Sequence, residues 1–234
     1  MEGYTRNSFQ LTGQNYKMKG PDAPRILLET PHLLVIDKPA GISVERSPHG
    51  YPSVEERVIN LLANRHRNPY LGIVHRLDRP VSGALLLAKK HSSLKKLNHQ
   101  FSEGKVQKVY YALVESAPPE KAGVLSHFLG RSEDRKRAVV YEQKQKDTKP
   151  ARLEYELEKE IPAGYLLKIN PLQGRYHQIR AQLAHLGCPI KGDRLYGAKT
   201  NYQANAIALH AAQLTFLHPV NLRQIIVKAP VPFI

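Results

Sequence analysis

The apolar residues of this chain occur in short runs, and this pattern limits what the chain can fold into. The longest uninterrupted runs hold about five residues, as in Ala84–Ala88, and turn-forming residues separate them. A membrane helix needs about 18 consecutive apolar residues, so the sequence predicts no such span. Segments rich in Tyr and Val, such as Val106–Val114, are typical of β-strands. We therefore expect a core built from many short strands.

Helical signals occur in three places. Ser53 and Glu56 form the pattern of a capping box, and apolar residues follow them at helical spacing. Further helices are predicted from Ser92 to Ser102, with Gly104 as the C-cap, and from Tyr176 to His185. Because strands outnumber helices and do not alternate strictly with them, the sequence predicts an α+β fold around a mixed sheet.

The expected domain organisation is simple. Residues 1–23 are polar and contain no periodic apolar pattern, so they are expected to form a flexible N-terminal arm. A chain of 234 residues suffices for one sizeable core. Residues 24–234 are therefore expected to form a single domain.

Cysteine and histidine usage argues against a disulfide and against a metal. Cys188 is the only cysteine, which excludes an intramolecular disulfide and a Cys-based zinc site. The 11 histidines show no HExxH motif and no His pair at metal-ligand spacing supported by carboxylates, so the sequence predicts no metal. The N-terminal residues lack the apolar core of a signal peptide, and a cytoplasmic location is expected.

The charge of the chain points to a polyanionic partner. Lys and Arg number 35 against 20 Asp and Glu, which gives a net charge of +15. Such a charge repels itself in a compact fold, so it usually indicates a partner such as nucleic acid. Two stretches are distinctly basic, Lys89–Lys108 and Arg131–Lys149, and the second is expected to be an exposed hairpin. Each stretch either follows a phosphate backbone or is a solvated face without a ligand.

One acidic residue stands out by its surroundings. Asp78 lies between Arg76 and Arg79, on a turn that leads into the apolar run Ala84–Ala88. Neighbouring positive charge is expected to keep its carboxyl group ionised. An ionised carboxylate at this position is either a nucleophile or general base, or it caps the turn and is structural.

Two further segments place polar groups beside apolar ones. On a strand, Tyr110 and Tyr111 face opposite sides, so one can point into a cleft while the other packs or is solvated. In the predicted third helix, Arg180 lies close to an apolar stripe, and a guanidinium there needs an anionic partner. Asp78 is the candidate partner.

Several motifs in this order resemble those of the RluA-type family of RNA pseudouridine synthases. They are VIDKPAGISV, HRLDRPVSGALLLAK, KVYYALV, GRYHQIRAQLAHLGCPIKGDRLYG and ALHAAQLTFLHPV. The resemblance extends from about Leu33 to the C-terminus. It implies isomerisation of selected uridines in tRNA or large-subunit ribosomal RNA, without cofactor or metal. It also implies a mixed, largely antiparallel sheet with flanking helices and a central active-site cleft.

The resemblance assigns roles to four residues. Asp78 matches the essential aspartate of the family, Tyr110 its active-site tyrosine, and Arg180 the arginine that pairs with the aspartate. Arg76 matches the residue expected to occupy the gap left by a flipped nucleotide. Further candidates for phosphate or pocket contacts, for which a purely structural role is equally open, are Lys38, His75, Arg79, Lys108 and His177.

The departures from the family pattern are small. Val81, Gln173 and Tyr176 stand where the commonest family patterns have Thr. They bear on substrate preference more than on activity. The sequence shows no match to the N-terminal S4-like RNA-binding domain that some relatives carry, so the catalytic domain itself is expected to recognise the RNA. A compact RNA stem-loop is the expected partner. The protein is expected to be a monomer.

Two other functions fit the composition. The chain could be a non-catalytic RNA-binding or ribosome-assembly factor, against which the intact Asp78, Tyr110 and Arg180 argue. It could also be an Asp-dependent nucleosidase, against which the charge of +15 argues, because a small neutral substrate does not need it. For a synthase, the sequence leaves three routes open: attack of the carboxylate at C1′ of the ribose, removal of the C2′ proton, or attack at C6 of uracil.

Overall fold

The computed structural model describes residues 24–46 and 52–233. The predicted N-terminal arm, residues 1–23, lies outside this part of the chain. Within it, the chain forms eleven strands and three helices. The strands are β1 (Arg25–Glu29), β2 (Leu33–Lys38), β3 (Gly72–Ile73), β4 (Ser82–Ala88), β5 (Gln107–Val114), β6 (Ala122–Arg131), β7 (Ala138–Tyr141), β8 (Lys149–Ile161), β9 (Gly164–Pro171), β10 (Leu209–Leu217) and β11 (Gln224–Lys228). The helices are α1 (Val54–Ala63), α2 (His91–Ser102) and α3 (Gln178–His185), and a 3₁₀ turn spans Arg194–Tyr196.

All eleven strands join one sheet. Its order is β1-β2-β4-β10-β5-β9-β8-β6-β7, with β3 paired to β4 and β11 paired to β10. Among the described strands, β4 and β10 form the one parallel pair, and the other pairs are antiparallel. The predicted α+β fold with a mixed, largely antiparallel sheet is confirmed. None of the described helices is both long enough and apolar enough to cross a membrane.

The burial of β4 on both faces of the sheet explains why its apolar run, Ala84–Ala88, is uninterrupted. Every residue of Ala84–Ala88 is 0% exposed. Leu85 and Leu87 pack into the larger core cluster on one face of the sheet, and the alternate residues pack into a second cluster on the other face. A strand covered on both faces has no solvent side on which polar residues are favoured. The turn that carries Asp78 therefore leads directly into a rigid element.

Two of the predicted helix signals are confirmed. The Ser53 hydroxyl accepts a hydrogen bond from the Glu56 backbone, and the Glu56 carboxylate accepts one from the Ser53 backbone, which completes the capping box of α1. At the end of α2, Gly104 adopts a φ of +68°. Its N–H donates to the Phe101 carbonyl at 3.2 Å, as in a left-handed helix terminus.

The third helix begins later than predicted. The periodicity predicts a start at Tyr176, but α3 begins at Gln178 because His177 has a φ of 52°, in the left-handed region. The Gln178 N–H donates to the Arg175 carbonyl at 3.1 Å, which closes a turn before the helix. The predicted helix is therefore wrong at Tyr176 and His177, and the imidazole leaves the backbone in a direction that a helix would not allow.

The parallel pair of β4 and β10 brings two backbones close together at Gly83. Gly83 lies opposite Ala211 and has a φ of +115°. A Cβ atom on Gly83 would overlap the carbonyl oxygen of Ala211 and lie 2.6 Å from its nitrogen. Only glycine fits this position without moving β4 away from β10.

We expect Gly83→Ala to lower the free energy of unfolding more than Gly104→Ala does. Both glycines have positive φ, which costs an alanine about 1–2 kcal/mol. A Cβ on Gly104 meets nothing within 4 Å, whereas one on Gly83 meets backbone. Urea unfolding of the two variants measures the difference, and equal losses would contradict the close approach of β4 and β10.

Candidate active site

Asp78 lies in a turn directly before β4. The Val81 N–H donates to the Asp78 carbonyl at 3.0 Å and closes the turn. A loop that follows β2 holds the turn from the other side, because the Gly41 N–H donates to the Arg79 carbonyl at 2.8 Å and Arg79 Nε donates to the Gly41 carbonyl at 2.9 Å. The Asp78 side chain is 27% exposed, so its carboxylate is partly shielded and still accessible.

Lys38 is buried, whereas a residue that contacts phosphate is expected to be exposed. It is 0% exposed, and its Nζ donates to the carbonyls of Pro39 at 2.9 Å, Ile42 at 2.9 Å and Arg79 at 3.3 Å. Burial lowers the pKa of Lys38 to about 7, and the Asp78 carboxylate acts in the opposite direction. Lys38 therefore supports the turn that carries Asp78 and does not face the solvent.

Arg180 provides the positive charge beside Asp78. The Arg180 residue is 5% exposed. Its Nε and Nη2 donate to the two oxygens of Asp193 at 2.6 and 2.8 Å, and its Nη1 donates to Oδ2 of Asp78 at 3.2 Å. One guanidinium thus bridges two carboxylates. The structure brings Asp78 and Arg180 together as the sequence led us to expect.

Asp193 lies beside Arg180, and no role was predicted for it from the sequence. It is 1% exposed and precedes the 3₁₀ turn, within the segment GDRLYG. Burial opposes the charge of Arg180, but the hydrogen bonds and negative charge of Asp193 raise the pKa of Arg180 above its ordinary value. The signal available in the sequence is that Asp193 lies within a motif that carries the family resemblance, GRYHQIRAQLAHLGCPIKGDRLYG.

Tyr110 and Tyr111 face opposite sides of β5, as predicted. Tyr110 lines the cavity above Asp78 and packs against the larger core cluster. Tyr111 lies on the other side, where it is hydrogen-bonded to Glu158. Burial and the negative charge of Asp78 raise the pKa of Tyr110. Its hydroxyl therefore stays protonated over the range in which proteins function.

His177 also lies against Asp78. Its Nε2 is 3.6 Å from Oδ2 of Asp78, and its Nδ1 is 3.0 Å from the Tyr196 hydroxyl. The Tyr176 ring stacks on the imidazole with 3.8 Å between centroids, and the Arg131 guanidinium lies 3.7 Å from the centroid of Tyr176. Burial lowers the pKa of His177 to about 4, so the imidazole is neutral near neutral pH.

A small cavity above Asp78 opens into a larger cleft. The cavity has a volume of about 100 Å³ and is lined by Asp78, Tyr110, His177, Arg180 and Leu209, among others. The cleft has a volume of about 1100 Å³ and shares Asp78 and Tyr110 with the cavity. The basic residues that line the cleft are Arg46, Arg76, Arg79, Lys108, Arg131 and Arg175, and the acidic ones are Glu45, Asp78 and Glu103. A groove of positive charge therefore leads to one carboxylate.

Three of the expected contact residues, Arg76, Arg79 and Lys108, lie along this cleft. The Arg76 side chain is 69% exposed and forms an ion pair with Glu45 at 3.0 Å. Lys108 Nζ donates to the Gln173 carbonyl at 3.3 Å, and partial burial lowers the pKa of Lys108. These side chains have the charge and the access that a phosphate contact requires.

His75 lines the same cleft but is held by the protein itself. Its Nε2 accepts the Leu86 N–H at 3.0 Å, and its ring stacks on Phe101 with 4.9 Å between centroids. Burial lowers the pKa of His75 to about 3, so the ring is a neutral acceptor. This contact fixes the position of β4 and makes a structural role the better interpretation of His75.

A cluster of two histidines and a glutamate lies outside the cleft. His185 Nε2 is 2.7 Å and His127 Nε2 is 3.6 Å from the same oxygen of Glu142, and the three possible ligand atoms lie within 4.8 Å of one another. The Gln182 amide nitrogen lies 2.9 Å from His127 Nδ1, and because it donates there, the proton of the neutral ring is on Nε2, toward Glu142. Hydrogen bonds account for the cluster, and the absence of a metal stays a prediction.

The sequence matches that of known enzymes over most of its length. The family described as RNA pseudouridylate synthase matches residues 32–185. "Ribosomal large subunit pseudouridine synthase C" of Buchnera aphidicola subsp. Acyrthosiphon pisum is 38% identical over 216 residues, which are 88% of this chain and 67% of the relative. The protein of the same name from Escherichia coli (strain K12) is 35% identical over 219 residues, which are 88% of this chain and 66% of the relative. The chain thus spans about two thirds of the length of these relatives.

Solved structures agree with the sequence comparison. "Human RNA Pseudouridylate Synthase Domain Containing 4" has a TM-score of 0.74 and 24% identity, and covers 89% of this chain and 88% of its own. "Human RNA Pseudouridylate Synthase Domain Containing 1" has a TM-score of 0.73 and 25% identity, and covers 93% of this chain and 87% of its own. The chain therefore belongs to the RNA pseudouridylate synthase family, whose members are isomerases.

Proposed function

We propose that this protein converts specific uridines of large-subunit ribosomal RNA to pseudouridine, with Asp78 as the reacting group. The observation that carries the proposal is the Asp78 carboxylate, 3.2 Å from the buried Arg180 guanidinium, at the junction of a small cavity and a basic cleft. The family membership supports the reaction. The names of the relatives support the choice of ribosomal RNA, with tRNA as the other substrate class to be tested.

Asp78 has the properties that breakage of a glycosidic bond requires. The reaction breaks the bond from C1′ of the ribose to N1 of uracil, turns the base, and joins C1′ to C5. C5 then loses its proton and N1 gains one, so the product is an isomer of uridine. An ionised carboxylate promotes the first step either by attack at C1′ or by removal of the C2′ proton. The Arg180 guanidinium, 3.2 Å away, places a fixed positive charge beside this carboxylate in a partly shielded site. Both routes, and attack at C6, use the same carboxylate.

The small size of the cavity supports extrusion of the uridine from its helix. The cavity above Asp78 holds about 100 Å³, which admits a single base and no duplex. Extrusion of a nucleotide costs a few kcal/mol of stacking. Arg76, whose side chain is 69% exposed at the cleft, can offset part of this cost by entering the gap in the RNA, since its guanidinium is planar and charged.

Tyr110 is suited to hold the base. Its ring lines the cavity beside Asp78, and its raised pKa keeps the hydroxyl protonated. A neutral phenol ring stacks on uracil without adding a second negative charge near Asp78. Retention of the detached base in the cavity allows the ribose to rejoin at C5 before uracil escapes.

A non-catalytic RNA-binding factor is the alternative. It would use the same basic cleft and would not need the Asp78–Arg180 pair. Synthesis of pseudouridine by the purified protein on large-subunit ribosomal RNA fragments or on tRNA, followed by mass spectrometry of the nucleosides, separates the two functions. RNA binding without pseudouridine on either substrate would support the alternative.

We expect Asp78→Asn to abolish pseudouridine formation while RNA binding is retained. The amide is nearly the same size but is neither a nucleophile nor a base. Asp147→Asn is the matched control, because Asp147 is exposed and its φ of 62° suits Asn. Substantial single-turnover activity of purified Asp78→Asn would overturn the assignment of Asp78.

Arg180→Lys is expected to lower the rate constant by about 100-fold and to change RNA affinity little. A single ammonium cannot reproduce the fork that holds Asp193 and reaches Asp78 at once, although it keeps the buried charge balanced. Arg65→Lys, at the exposed pair with Glu29, is the control. A rate equal to that of the wild type would contradict the proposed need for a fixed guanidinium.

The two lysines of the site are expected to respond differently to substitution by methionine. Lys108→Met removes a charge from the cleft, so RNA affinity falls and its dependence on log salt weakens by about one unit. Lys38→Met removes the donor to three carbonyls, so thermal stability falls and the salt dependence does not change. Filter binding at several salt concentrations and thermal unfolding measure both. A weaker salt dependence for Lys38→Met would show that Lys38 reaches the RNA.

A further inference from the structure

The surroundings of Tyr196 favour one direction for its hydroxyl. The Ala138 N–H lies 2.7 Å from the Tyr196 oxygen, and an amide N–H can only donate. The oxygen therefore accepts from β7, and its own proton is available to His177 Nδ1 at 3.0 Å. A Tyr196 hydroxyl that donates here makes Nδ1 the acceptor nitrogen of the imidazole.

The tautomer of His177 follows from this contact. A neutral imidazole carries one proton, so an accepting Nδ1 places that proton on Nε2. Nε2 is the nitrogen 3.6 Å from Oδ2 of Asp78. The other tautomer would turn a lone pair toward the carboxylate. Contacts of this length tighten in the substrate complex of many enzymes.

The two donors beside Asp78 address the same oxygen. Arg180 Nη1 is 3.2 Å and His177 Nε2 is 3.6 Å from Oδ2. We propose, on the basis of the proposed function, that His177 is a positioning residue which, together with Arg180, holds Oδ2 and leaves Oδ1 to react with the nucleotide. Tyr196 is then the group that sets the tautomer of His177. An oxygen that faces two donors, Arg180 at hydrogen-bond distance and His177 slightly farther away, is the weaker nucleophile of the two carboxylate oxygens.

The backbone at His177 supports this assignment. A φ of 52° is unfavourable for a residue other than glycine, and it places the imidazole beside Asp78 instead of within the first turn of α3. The charged and titratable groups that face His177 are Asp78, Arg131, Tyr176, Arg180, Asp193 and Tyr196. Burial lowers the pKa of His177 to about 4, so the ring is neutral near neutral pH and its tautomer determines what Asp78 meets.

Tyr196→Phe tests the proposal because it removes the hydroxyl and keeps the ring. At about pH 8 we expect the rate constant to fall about three- to tenfold, the effect of one net hydrogen bond, with RNA affinity unchanged. Loss of the donor to Nδ1 favours protonation of the imidazole, which restores the Nε2–H. The ratio of variant to wild-type rate is therefore expected to rise as the pH falls to about 5. A purely structural effect of Tyr196 would lower the rate equally at each pH.

Tyr202→Phe is the control, because this half-buried ring packs against Phe233 and lies outside the cavity and cleft. Its rate ratio is expected to be independent of pH. Nitrogen NMR of the wild type with labelled histidine reports the tautomer without any assay of activity, with the His177 signals assigned by their loss in His177→Gln. The proposal requires that the His177 proton lies on Nε2 in the wild type, and that the populations of the Nε2–H and Nδ1–H tautomers change in Tyr196→Phe.

The outcomes separate this proposal from the proposed function. An active wild type whose His177 carries its proton on Nδ1, or whose Tyr196→Phe rate ratio does not vary with pH, would overturn the role of His177 alone. A wild type that makes no pseudouridine on ribosomal RNA or tRNA would overturn the function. The role of His177 would then be rejected as well, because it rests on that reaction, whatever the NMR result.

Discussion

The shared guanidinium of Arg180 is the interaction on which the site depends. Asp193 holds this group with two hydrogen bonds in a buried setting, and only the remaining nitrogen reaches Asp78. A buried ion pair is costly to form unless its geometry is well satisfied, and here the bidentate contact to Asp193 satisfies most of it. Asp78 therefore meets a charge whose position is already fixed by another residue. This arrangement joins three distant parts of the chain: the turn before β4, α3, and the 3₁₀ turn.

Local patterns in the sequence were enough to predict most of the elements. The capping box of α1, the Gly104 terminus of α2 and the continuous apolar strand β4 each depend on neighbouring residues, so they can be inferred without the fold. The start of α3 could not, because helical periodicity includes His177, whereas contacts with Tyr196 and Asp78 from other elements hold it in a left-handed conformation. Tertiary contacts override propensity at this one residue.

The candidate site was predictable in part. Asp78 and Arg180 were accessible through motif resemblance and through the need of a buried guanidinium for an anion. Asp193 was not, because a second carboxylate beside Arg180 becomes visible only when α3 and the 3₁₀ turn meet. For Lys38 the sequence left a phosphate contact and a structural role equally open, and its position at the end of β2, with the ammonium directed inward to three carbonyls, favours the structural role.

The position of β7 has a consequence for how such enzymes diversify. This strand is the last in the sheet, and the basic β6–β7 hairpin that includes Arg131 borders the cleft from there, whereas Asp78 and Tyr110 belong to central elements. An outer hairpin tolerates insertions and sequence drift that an inner strand does not. Changes in this hairpin can therefore reshape the border of the cleft while the elements that carry Asp78 and Tyr110 keep their positions.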